Sequence, residues 1–167
     1  MDTGELWTRW TVRLAMMLYV GSLAMRGAPQ QRRCWWDWSG YLWTAGCLAY
    51  LLHVICAFAF YHHWSHTDAY ETTAKRTAET VGLHSGMGLY ANYVFTLVWV
   101  ADVCWWWLRN EQYALRSKVI AGAIQGFLGF MAFNATVVFA TGFSRWLGVA
   151  GCLLLAGSYA YSHKPPG

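Results

Sequence analysis

YLWTAGCLAYLLHVICAFAFY, Tyr41 to Tyr61, carries no formal charge and ends abruptly in His62-His63-Trp64-Ser65-His66. Roughly 20 helical residues rise about 30 Å, the thickness of a bilayer's hydrocarbon. The run therefore reads as a membrane span, and the histidines fall at its water–lipid boundary. Working outward, four more apolar segments appear: about 9–25, 88–108, 119–140 and 146–161. None shows the strict alternation of a lipid-facing barrel strand. The fold expected is an all-α integral membrane protein. It is one domain over 1–167, a bundle of about five spans, with a flexible tail at 162–167.

Composition agrees. The chain is 57% hydrophobic and 12% charged, about half the charged share of a soluble domain. Its 12 Trp and 10 Tyr suit membrane interfaces, where the ring is apolar and the N–H or O–H stays wet. Trp35, Trp36, Trp38, Trp43 and Trp105 to Trp107 would form one aromatic belt; Tyr61, Trp64 and Tyr90 would mark the other. A net charge of +4 without a basic run among stacking aromatics excludes a nucleic-acid partner. The five cysteines include no CxxC, so they read as small hydrophobes.

Segment 9–25 contains Arg9 and Arg13 and is the weakest span; a bundle of four is the alternative if it lies on the surface. Ser22-Leu23-Ala24 has cleavage-like spacing, but Asp2 and Glu5 make a poor basic leader, so the segment is read as a retained helix. Between the second and third spans, Ser65-His66-Thr67-Asp68 fits a capping box and Gly82 a helix stop. Tyr70, Ala74, Ala78 and Val81 recur at helical spacing, with Glu71, Lys75 and Glu79 on another face. A short amphipathic surface helix is expected over about 68–81.

Lys and Arg divide unevenly. Arg9, Arg13, Lys75, Arg76 and Arg145 fall on one side; Arg26, Arg32, Arg33, Arg109, Arg116, Lys118 and Lys164 fall on the other. The richer side should be cytoplasmic, which puts the histidines outside. In a bacterial inner membrane that face is periplasmic.

Chemistry concentrates at the histidines. His62 and His66 share a helix face if the second span continues at least to His63, and His63 offers another choice. His84 returns to the same surface after Gly82. These four imidazoles suit Zn, Cu, Fe or Ni, with Asp68 or Glu71 accepting a second ring N–H. A haem held by this chain alone is not expected, because only His53 lies within a span.

The intramembrane polar residues are His53, Thr96, Asp102, Gln125 and Asn134. Helix arithmetic puts His53 level with Thr96, Asp102 level with Gln125, and Asn134 near Asn92 or Tyr93. Each pair would satisfy groups that are costly in hydrocarbon. Two functions follow. One is a metal-binding or redox membrane protein built on the histidines. The other is a non-enzymatic structural or accessory subunit, packing against membrane partners or itself through glycine steps such as Gly122/Gly126. No reaction can be assigned.

Overall fold

The computed structural model describes residues 3–27 and 33–162. Helices α1 (Thr3–Gly27), α2 (Arg33–Phe60), α3 (His66–Val81), α4 (Met87–Leu108), α5 (Asn110–Ala114) and α6 (Lys118–Phe133) follow in order. A π-helical turn, Asn134–Val138, continues α6, and α7 (Phe143–Ser162) ends the description. The tail beyond Ser162 lies outside the described residues.

Among the described residues three helical stretches are long and apolar enough to cross a membrane: Asp37–Phe60, Met87–Leu108 and Lys118–Val138. Phe143–Gly157 is apolar but shorter. Helix α1 has ample length at 25 residues but carries Glu5, Arg9 and Arg13, with Glu5 and Arg9 ion-paired one turn apart.

The helices pack in a closed circuit. Helix α1 lies along α2, α2 meets α4, α4 meets α6, the π turn meets α7, and α7 returns to α1. An aromatic core fills the contact of α1, α2 and α4. The ring centroid of Trp43 lies 5.3 Å from that of Tyr19 and 5.2 Å from that of Trp99. Tyr50 and Phe95 close on Trp99 at 5.8 and 5.4 Å. Such stacked, tilted and edge-on pairs contribute about 0.5–1.5 kcal/mol each beyond area burial. Trp43 and Trp106 are therefore core residues rather than belt residues, while Trp38 and Trp107 stay exposed. The side chains of Trp35 and Trp36 lie outside the described residues.

Local signals explain α3. Ser65 caps it by accepting from the Asp68 N–H at 3.2 Å, and Gly82 ends it at φ 77°. Its buried Ala69 and Ala74 face the bundle, and it packs on α4. Tyr70 lies across Gly86, where an added Cβ would be 2.6 Å from the ring. The expected reach of the Asp68 carboxylate back to the cap is not seen; it turns to His62 instead.

The π turn forms where Phe139 N–H donates to Asn134 O at 2.9 Å, one residue beyond the α register. Asn134 Nδ2 and Thr136 Oγ1 add bonds to Phe130 O and Ala132 O within the same helix. The expected approach of Asn134 to Asn92 or Tyr93 is thus replaced by a local bond. Helix α7 crosses this turn at Gly148, whose added Cβ would lie 2.5 Å from Thr136 O.

Candidate functional site

The histidines come apart because α2 stops at Phe60, short of His63. His63 and Trp64 take left-handed backbone conformations, φ 46° and 60°, which turn the chain out of the helical path. The shared face of His62 and His66 depends on a continuous helix and is lost. His62 Nδ1 meets Asp68 Oδ2 at 2.8 Å. His66 turns to tyrosines instead, with Nδ1 3.0 Å from Tyr93 Oη and Nε2 3.4 Å from Tyr90 Oη. His63, His84 and Glu71 are exposed. Among the described residues no three of the His, Cys, Asp and Glu side chains gather as a metal site would require. The four-imidazole arrangement expected from spacing is corrected accordingly. Both ring nitrogens of His66 face phenols, so this imidazole is already occupied as a hydrogen-bond partner.

His53 also finds another partner. Its Nδ1 bonds Thr8 O on α1 at 2.9 Å rather than Thr96 on α4. A carbonyl only accepts, so Nδ1 carries the proton. Thr96 folds onto Asn92 O in its own helix at 2.8 Å. Equal depth left two neighbours open to His53, and the extensive α1–α2 contact decides between them.

The densest polar assembly surrounds Asp102. Its side chain is wholly buried, yet Gln125 is not its partner. Trp43 Nε1 donates to Oδ2 at 3.0 Å and Tyr113 Oη donates to the same oxygen at 2.9 Å. Arg116 donates to Oδ1 at 2.8 Å. The short helix α5 folds the chain back so that Arg116 reaches up into the bundle, its guanidinium 3.7 Å from the centroid of the Tyr113 ring. Arg26 completes the group from α1, lying 4.6 Å over Trp43 and 4.9 Å over Trp106. It also donates to Tyr113 Oη at 3.4 Å. Burial pushes the Tyr113 phenol above its ordinary value, and the charge of Arg26 partly opposes this. The phenol therefore keeps its proton and serves as donor.

Two guanidinium groups and one carboxylate leave this knot with one positive charge, spread over indole faces that favour cations. Three donors fill three of the carboxylate's roughly four lone-pair sites, and its side chain has no exposure to solvent. The assembly joins α1, α2, α4 and α5. Sequence reasoning missed Arg26, Trp43, Tyr113 and Arg116. The usable signal is reach: indole and guanidinium groups on neighbouring elements can cover the roughly 9 Å between Asp102 and its helix end.

Gln125 sits apart from the knot. Its Nε2 and Oε1 are both covered and have no hydrogen-bond partner. No protein-family model, curated protein or solved structure matches this chain.

Proposed function

We infer that this chain is a non-enzymatic membrane subunit of five spans that docks on another membrane helix through α6. The carrying observation is the Gly122/Gly126 step. An added Cβ at either glycine would meet nothing within 4 Å, so this close-approach surface is unused inside the chain. Small residues four apart let helix backbones come together in lipid. Val119 and Phe130 flank the step and are 80% and 64% exposed. The buried Asp102, held by three donors, and the dispersed histidines support a structural role over a catalytic one. On the positive-inside count, the Asp102 end faces the cytoplasm and the histidine end faces outward, the periplasm if the membrane is a bacterial inner membrane.

Membrane cross-linking tests this. With the exposed Cys104 and Cys152 replaced, Val119→Cys carrying a thiol-linked photo-cross-linker should give a cross-linked product, of twice the chain mass for a second copy or another mass for a different subunit. Adding Gly122→Leu and Gly126→Leu should abolish it. A product unchanged by both leucines, or none at all, would remove the support for docking through α6.

A further inference from the structure

A cavity of about 820 Å³ opens between α1, α6 with its π turn, and α7. Its walls are nearly all aliphatic, among them Met16, Leu23, Leu147 and Leu155. That volume falls within the range of small-molecule sites. One end is closed by Arg13, whose Nε donates to Ser144 Oγ at 3.1 Å. Thr136 is satisfied within its own helix. Three polar atoms of lining residues are covered and without partners: Tyr19 Oη, Gln125 Nε2 and Gln125 Oε1.

Tyr19 is 2% exposed and held by the aromatic core, so its hydroxyl has a fixed aim. That hydroxyl lies 3.6 Å from the Cβ position of Gly129, one turn along α6 from Gln125. Depth agrees. Tyr19 is eight residues from the end of α1 and Gln125 seven from the start of α6, about 12 and 10 Å from the same bundle end. Arg26 on Tyr113 confirms that α1 ends on the α5–α6 side. Buried polar atoms are rarely left unbonded, because each costs its full desolvation.

The geometry points to a binding site for an uncharged, lipid-soluble molecule with a carbonyl oxygen and an apolar body. The donors assigned to it are the Tyr19 O–H and a Gln125 N–H, and one carbonyl oxygen has two lone pairs to receive them. Both protein groups are neutral and Arg26 does not line the cavity, so a charged head would lie there without a cation in contact. Among the described lining residues the cation is Arg13, which is turned to Ser144 at the opposite end and lies over the Trp10 and Phe143 rings; Arg26, whose charge reaches Tyr19, is held over Trp43 and Trp106 and does not line the cavity. The aliphatic walls take the rest of the molecule. Gly122 and Gly126 lie on the adjoining stripe of α6, nearer its start, and do not line the cavity.

The full chain, purified in detergent, can be tested with an alkyl benzophenone. This probe has the required carbonyl and chain and cross-links under light. Labelling should saturate and map to peptides of α1, α6 or α7. Tyr19→Phe and Gln125→Met should each raise the half-saturating probe concentration about 3–10-fold, the effect of one lost hydrogen bond. Ala24→Phe, which fills the cavity, should abolish saturable labelling. Equal saturation in the Tyr19→Phe, Gln125→Met double variant would mean an acyl-chain slot without carbonyl recognition, and would overturn the assignment. Labelling that never saturates would overturn it too. If Tyr19→Phe unsettles the core, Gln125→Met alone decides, since Gln125 lies outside the aromatic cluster.

Discussion

Trp43 and Asp102 are 59 positions apart in sequence, yet the indole N–H of one meets the carboxylate of the other at 3.0 Å. This bond ties α2 to α4 at the level where α5 brings Arg116 underneath. An aromatic side chain thereby serves as both core packing and the donor to a buried charge.

Removing the carboxylate should be severe. Asp102→Leu leaves Arg116 and Arg26 without the oxygen that balances them, and breaking a buried pair costs about 3–5 kcal/mol. The expected result is a large loss of thermal stability in detergent. The double variant Asp102→Leu, Arg116→Met should recover most of it. Equal stability of the single variant and the wild type would show that the knot holds nothing.

Trp43→Phe keeps the ring packing but deletes one of three donors to Asp102. The loss should be smaller, about 1–3 kcal/mol, because one buried acceptor site is left unfilled. Equilibrium unfolding beside the Asp102→Leu variant measures the ratio.

Alkaline pH should weaken the fold through Tyr113. Its folded-state value is raised by burial, so the protonated phenol is favoured in the folded chain. This contribution is fully present below the unfolded value, about 10, and is lost as pH climbs through the higher folded value. Tyr113→Phe cannot titrate. Its stability relative to wild type should therefore improve above about pH 10, read from paired melting curves.

Two glycines should fail for different reasons. Gly148→Ala drives a Cβ to 2.5 Å from the Thr136 carbonyl, so α7 must move away from the π turn. A cost of about 1–3 kcal/mol is expected, as for overpacking in a filled core. Gly82→Ala has open space around it but a φ of 77°, so its cost is conformational and about 1–2 kcal/mol. Gly82→Asn, which tolerates that conformation better, should recover part of the loss; Gly148→Asn should not.

His62→Ala should cost less than about 1 kcal/mol. The Asp68 side chain is 51% exposed, so solvent and salt screen the contact. A larger loss in a salt-insensitive melting curve would assign the turn after α2 a greater role than the geometry supports.

Much of the fold is legible in the residues. Uncharged runs mark the helices, and Ser65 and Gly82 mark the ends of α3 because capping is a local, sequence-near event. The candidate sites are less so. Depth arithmetic ranks residues by level but is blind to rotation, which is why His53 turns to Thr8 and not to Thr96. It also takes each side chain at the level of its own Cα. Arg116 and Trp43 break that assumption, since both reach Asp102 from other levels. At the histidines the error is different in kind. No Gly or Pro announces that α2 ends at Phe60, and the left-handed backbone at His63 and Trp64 is one such residues seldom adopt.

A π turn holds one residue more than the α turn it replaces. The segment Asn134–Val138 is therefore a store of spare chain between α6 and α7. Deleting one residue there would shorten the protein and still leave α6 aimed as before. The same deletion at Ile124 would swing every later side chain of α6 by about 100°. Length differences among natural or engineered versions of this chain should accordingly collect at that turn, and the flanking helices should keep their lengths.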